Sequence, residues 1–114
     1  MKQLNFSPYY EDLLVRKAKT TTFRIPSGSN SFAQGERVRI TVGWPGGPYQ
    51  ELHGATVMSV YEKLVHELNA LDFSGESPDC QTPEATALVL SAIYKKVITV
   101  NAKVRVVKFE HDPS

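Results

Sequence analysis

The sequence predicts an α+β domain: a small mixed sheet curled into a barrel, with two to three helices packed outside it or over one end. Three observations predict it. Two helix-start signals, Ser7-Pro8 and Thr82-Pro83-Glu84, stand far apart in the chain. Between them lie segments that alternate apolar and polar residues, as half-buried strands do. The length of 114 residues suits one domain, residues 1–114, whose short strands gain from closing on themselves instead of leaving edges open.

Each element follows from local chemistry. Ser7 can cap a helix, and Pro8 at its first position loses nothing by lacking an N–H. Tyr10, Leu13, Leu14 and Lys17 keep helical spacing, and this helix is expected to end near Lys17 or Ala18. Residues 20–25 are rich in β-branched and aromatic side chains and read as a strand stopped by Pro26. Residues 27–31 form a polar loop. In residues 36–43, Val38, Ile40 and Val42 share one face of a strand, and Arg37, Arg39 and Thr41 the other. "WPGGPY" then breaks it. Residues 52–62 read as a second long strand, 66–71 as one or two helical turns, and 73–81 as a loop. Beyond Thr82, the stripe of Ala85, Leu88, Val89, Ala92 and Ile93 marks a longer helix, with Lys95 and Lys96 at its negative end. Residues 97–100 and 103–110 read as strands, or as one strand broken at Asn101.

Thirteen Lys and Arg against twelve Asp and Glu give no global field to attract nucleic acid, so only local clusters can do so. Lys17, Lys19 and Arg24 make one cluster; Lys95, Lys96, Lys103, Arg105 and Lys108 make another. Asp72, Glu76, Asp79 and Glu84 form an acidic stretch between them. Cys80 is the only cysteine, so no intramolecular disulfide forms, which fits a reducing compartment. The first residues lack a signal peptide's apolar core, and no apolar run is long enough to span a bilayer. The expectation is a soluble, cytoplasmic protein without a membrane partner. There is no Gly-rich phosphate loop, no cysteine pair and no His-Glu-x-x-His, so neither a metal nor a cofactor is expected. His53, His66 and His111 are scattered singly and read as surface or satisfied residues.

The stretch "KAKTTTFR" stands apart, with three cations and three hydroxyls in eight residues. If it is extended from Thr20, then Thr20, Thr22 and Arg24 lie on one face, and Thr21, Phe23 and Ile25 on the other. With Phe23 and Ile25 in the core, the first face presents hydroxyls and a guanidinium in a row, and Lys19 sits at the helix-to-strand junction. Such a row can grip a phosphate or a nucleobase carbonyl. A solvated strand face with an ion pair to a nearby acid explains the same pattern. Trp44, in its Pro/Gly loop, offers a face for base stacking, worth about 1–3 kcal/mol, or packs back over the barrel end. Arg37, Arg39 and Arg105 extend a phosphate-tracking surface or simply form the wet face.

Taken in order, "YYEDLLVRKAKT", "KTTTFR", "FAQGERVRITV", "LNALDFSGESPD", "TPEATALVLSAIY" and "VRVVKFE" resemble ASCH-domain proteins, a branch of the PUA-like β-barrel superfamily. The resemblance covers nearly the whole chain, and Lys-Thr-x-Thr-x-Arg followed by Gly-x-x-Val is its most specific part. It implies a small barrel with a cleft beside the strand at 20–25, and RNA binding there. Some small bacterial members resemble amidohydrolases that remove the acyl group from N-acylated cytidine. They use a lysine, a threonine three residues later and a downstream glutamate. The first two correspond to Lys19 and Thr22, and the arginine two residues further on to Arg24. The acid, lying before the long helix, corresponds to Glu76 or Asp79. Against those members, "GWPGGPYQ" is an added excursion.

The implied chemistry is coherent. A lysine ammonium is a poor base at its ordinary pKa, but burial or the cations Lys17 and Arg24 would lower that pKa, whereas a carboxylate would raise it. A neutral Lys19 would take a proton from Thr22 Oγ or from water, with Glu76 orienting the amine or shuttling the proton. The leading expectation is a cleft for RNA or a modified nucleoside, lined by Lys17, Lys19, Thr20, Thr22, Arg24 and Trp44, with Glu76 or Asp79 opposite. The alternatives are an amidohydrolase of N-acylated cytidine using Lys19, Thr22 and Glu76, a ribonuclease using the same cleft, and an adaptor without a small ligand.

Overall fold

The structure, a computed structural model, describes residues 1–28 and 31–113, so part of the polar loop expected at 27–31 lies outside the described residues. The elements run β1 (Lys2–Phe6), α1 (Glu11–Val15), β2 (Thr21–Arg24), β3 (Arg37–Val42), β4 (Gln50–Leu64), α2 (Ala70–Phe73), α3 (Pro83–Tyr94) and β5 (Lys103–His111). Single 3-10 turns at Pro8–Tyr10 and Val65–Glu67 precede α1 and follow β4. The five strands form one sheet in the order β1-β3-β4-β5-β2. β1 runs parallel to β3, and the other neighbours are antiparallel. Among the described residues β1 and β2 share no ladder, so the sheet is a mixed half-barrel with a seam between its two end strands. The α+β barrel-like class expected from the sequence is the one observed.

β4 is longer than expected, at fifteen residues, because two irregularities let one strand serve two partners. Its first half pairs with β3 and its second half with β5, with register shifts at Ile40/Thr41 and at Val57/Ser59. Met58 is the extra residue at the second shift and points outward. Such bulges bend a strand and tighten its twist, which curls this sheet.

Three expectations are corrected. Residues 2–6 form an edge strand that the reading left without structure; Leu4 and Phe6 alternate into the core. α1 stops at Val15, short of Lys17, because Lys17 takes a left-handed φ of 60° and the Ala18 N–H turns back to Leu13 O at 2.8 Å. Residues 97–100 are not a strand. The Ile98 N–H bonds to Ser91 Oγ at 2.9 Å, which ties this stretch to α3 instead of to the sheet. The helix start at Thr82 is as expected: Thr82 Oγ accepts from the Ala85 N–H at 3.1 Å.

Two apolar clusters hold the sheet from opposite faces. One fills the half-barrel: Leu4, Phe6, Ile40, Val57 and Phe109, closed by Leu14 of α1. The other lies under α3: Phe23, Phe73, Leu90, Val104 and Val106. Val106 and Val107, both buried, point to different clusters, as neighbours on a strand must. Each fully buried aliphatic or aromatic side chain contributes about 1.5–3 kcal/mol. The seam between β1 and β2 runs along the border of these clusters, and the unusual polar residues collect there.

Candidate functional site

The outer edge of β2 faces the seam and would be an open template for pairing if nothing covered it. Three amide donors point that way, and each is taken. The Thr21 N–H bonds to Gly75 O at 3.0 Å, the Phe23 N–H to a Glu76 carboxylate oxygen at 3.2 Å, and the Ile25 N–H to the Tyr94 hydroxyl at 3.1 Å. Gly75 O also accepts the Thr20 N–H at 2.8 Å. Gly75 has φ +83°, and a Cβ there would stand 2.1 Å from Thr20 Oγ1. Only glycine lets the loop press this closely. That contact fixes where the next residue, Glu76, delivers its carboxylate.

Glu76 meets Lys19. The amine touches Glu76 Oε1, bonds to Thr21 O at 3.1 Å, and lies 4.9 Å from the Tyr10 ring centre and 5.7 Å from that of Phe6. Both side chains are 3% exposed. The carboxylate is held on all sides: Oε1 also accepts the Ser77 N–H at 2.8 Å, and Oε2 accepts from Phe23. Burial pushes the Lys19 amine down, to about 7, with Arg24 adding to the effect and Cys80 and Asp79 pulling back. Glu76, in contact, pulls upward as well. Two opposing influences therefore act on the Lys19 proton: burial lowers the amine's pKa and the touching carboxylate raises it.

Thr22 and Arg24 lie on the half-barrel side of β2. Arg24 Nε donates to Thr22 Oγ1 at 3.0 Å and Arg24 Nη2 to Asn5 O at 2.7 Å, bridging the seam to β1. The guanidinium lies 4.9 Å from the centre of the Phe6 ring, the same ring that Lys19 overlooks. Burial lowers the Arg24 pKa, opposed by Tyr94, but a guanidinium stays charged in a protein. No carboxylate among the described residues forms an ion pair with it. The part-buried guanidinium is met instead by two oxygen acceptors and an aromatic ring.

The structure separates the remaining expected residues. Asp79 stands one hydroxyl away from Lys19: its carboxylate accepts from the Tyr10 hydroxyl at 3.0 Å and lies 2.7 Å from Ser77 Oγ. Burial, and Asp79 beside it, push the Tyr10 phenol upward, so it stays a donor. Lys17 points elsewhere, to Asp112 O at 2.6 Å. Thr20 packs on Gly75. Trp44 is 54% exposed and meets the edge of Tyr9 at 5.5 Å, lining an open hollow of about 330 Å³ with Pro8, Glu11 and Tyr49. A second hollow, of about 400 Å³, lies at Phe32, Tyr61 and Arg105. Neither is lined by Lys19, Thr22 or Glu76. Cys80 is buried, and burial pushes its thiol up to about 12, which leaves no thiolate for nucleophilic work. Among the described residues no cluster of His, Cys, Asp and Glu could hold a metal, and no helix is long and apolar enough to cross a membrane.

Sequence reasoning missed Phe6, Tyr10, Ser77 and Gly75. Phe6 belongs to the unexpected strand, and Tyr10 was absorbed into an apolar helical spacing. Only the glycine carried a signal, as a turn former beside an acid.

No protein-family model matches the chain, and no curated protein sequence does. Two solved structures are similar to it. The first is a DUF984 protein of Enterococcus faecalis V583, with TM-score 0.65 and 18% identity over 90% of this chain and 69% of that one. The second is an ASCH domain from Lactobacillus crispatus JV V101, with TM-score 0.63 and 14% identity over 88% of this chain and 68% of that one. The chain has the ASCH-type, PUA-like fold.

Proposed function

We propose that the seam recognises a modified nucleoside and hydrolyses the acyl amide of an N-acylated cytidine. One observation carries this reading: a lysine walled off from water touches Glu76, beside a threonine whose hydroxyl is bonded by an arginine without a counter-charge. Polar groups as deeply buried as Lys19, Glu76 and Thr22 suit a small ligand better than a polymer backbone. The ASCH-type fold and the placement of Lys19, Thr22, Arg24 and Glu76 in one seam support it.

The chemistry runs as follows. A substrate carbonyl that draws the Arg24 guanidinium also disturbs the packed seam, and Glu76 moves off Lys19 carrying the shared proton as a neutral acid, which leaves a neutral amine. That amine takes the proton of Thr22 Oγ or of a water, and the oxygen attacks the acyl carbon. Arg24, already donating to Thr22 Oγ1, stabilises negative charge as it develops on oxygen. The tetrahedral intermediate then collapses, and Lys19 returns the proton to the departing amino group of cytidine. If threonine attacked, water frees the acyl group in a second round. Asp79, through Tyr10 and Ser77, holds the cover over the amine.

The test is incubation of the protein with N-acylcytidine. Cytidine should be released by the wild type, and Lys19→Ala should abolish release. Turnover unchanged in that variant removes Lys19 from the mechanism. A second reading, RNA binding in the cytoplasm, is favoured by the exposed pair Tyr9 and Trp44, 84% and 54% accessible, at the same end of the half-barrel. It predicts salt-sensitive RNA association weakened by Trp44→Ala. A ribonuclease would instead leave RNA fragments, lost in Lys19→Ala.

A further inference from the structure

Lys19 has no strand or helix of its own to hold its backbone; it lies in the connection between α1 and β2. Its N–H reaches Leu13 O at 3.3 Å, a long bond. Its carbonyl is held more tightly. His111, the last residue of β5 and buried, places Nε2 2.6 Å from Lys19 O. A carbonyl only accepts, so Nε2 carries the hydrogen. In the neutral ring Nδ1 is then bare, and His53 Nε2 lies 2.6 Å from it. His53 must donate. The rings form a directed chain: His53 to His111, and His111 to the Lys19 carbonyl. The Phe109 ring, edge-on at 5.2 Å, fixes the His111 plane from the core side. His53 and His111 are 58 residues apart, and antiparallel pairing of β4 with β5 brings them together.

We propose that His53 and His111 form a proton-sensitive brace that positions Lys19, and so its amine against Glu76, through the Lys19 backbone carbonyl. The proposal rests on reading Lys19 as the working amine of the seam, and it makes both histidines positioning residues. The charged groups around the pair come from three sides. Lys17 approaches from the same connection as Lys19. Asp112 follows β5, but Arg37 of β3 occupies both its oxygens at 2.5 Å. Burial lowers both imidazoles below the ordinary value, Lys17 adds to this, and Asp112 opposes it; for His111 the bond to Lys19 O also opposes. Groups depressed in the folded state stay neutral near pH 7. The brace is therefore whole above the ordinary histidine range, about 6.5, and is lost as pH falls through the lower folded values. A first extra proton settles on the bare His53 Nδ1 and leaves the Nε2–H donation to His111 intact; a second, on His111 Nδ1, sets two N–H groups against each other and breaks the link.

The test follows the side-chain Cε signal of Lys19 by NMR in protein labelled with ¹³C-lysine, assigned with Lys19→Arg, while pH is lowered. The expected result is an acid inflection in the Lys19 signal that coincides with the imidazole titrations of His53 and His111. His53→Ala should shift the neutral-pH Lys19 signal and flatten that inflection, and His53→Gln, which keeps an N–H for His111 Nδ1, should restore the neutral-pH position without the His53 titration. A thermal melt at neutral pH shows that each variant is folded, and His111 itself is left intact so that loss of the fold cannot mimic the effect. A Lys19 signal without the acid inflection, or one identical in wild type and His53→Ala, overturns the brace. Failure to release cytidine or to bind nucleoside would count against the reading of the seam and leave this coupling standing.

Discussion

Two ion pairs in this molecule have similar chemistry and opposite settings. Arg37 and Asp112 make a bidentate fork at 2.5 Å, with side chains 49% and 35% exposed. Lys19 and Glu76 touch inside the seam, each 3% exposed. Water can replace either partner of the first pair, and exposed pairs contribute only about 0–1 kcal/mol. Nothing replaces a partner of the second. Removing both of its charges in favour of neutral groups of similar shape costs little, whereas removing one leaves the other stranded. The comparison teaches that the buried pair adds little to the stability of the fold yet must be complete. On the proposed function this pair, next to a guanidinium with no ion-pair partner among the described residues, is kept for chemistry.

The largest break in this contrast should come from splitting the buried pair. Glu76→Ala and Lys19→Ala should each lower unfolding free energy by about 3–5 kcal/mol, read as a drop in urea midpoint. Gly75→Ala comes next. It forces a Cβ 2.1 Å from Thr20 Oγ1 at a backbone φ of +83°. Backbone strain alone costs about 1–3 kcal/mol. It should also displace Glu76 and so remove activity more completely than its effect on stability suggests. Arg37→Ala should be smallest, about 0–1 kcal/mol and weaker still at high salt. An Arg37→Ala effect as large as that of Glu76→Ala would erase the distinction between the two pairs.

Much of the half-barrel was legible because it rests on local rules. Val38, Ile40 and Val42 alternate as a strand must, and Thr82-Pro83-Glu84 announces its helix without ambiguity. β1 was lost because five residues with two inward side chains, Leu4 and Phe6, are too short a pattern to stand out. Residues 97–100 misled because Ile98 is apolar for a tertiary reason, packing under α3, and its N–H is taken by Ser91. In the site, Lys19, Thr22 and Arg24 were visible as a cluster of donors in one short stretch. The choice between Glu76 and Asp79 was not, since both sit in one loop and only the Gly75 contact with Thr20 decides which reaches the amine. The pairing of His53 with His111 depends on strand register through a bulge, which periodicity does not encode.

The most direct measurement is made on the double variant Lys19→Met with Glu76→Gln. The glutamine's one oxygen keeps one of the two amides that the carboxylate held, Phe23 or Ser77, and its NH₂ stands against the other. The account predicts a folded protein about 1–3 kcal/mol less stable than wild type, the cost of one stranded amide donor, that is more stable than either single alanine variant and releases no cytidine from N-acylcytidine. A double variant that unfolds like the single ones, or that hydrolyses the substrate at the wild-type rate, would contradict it.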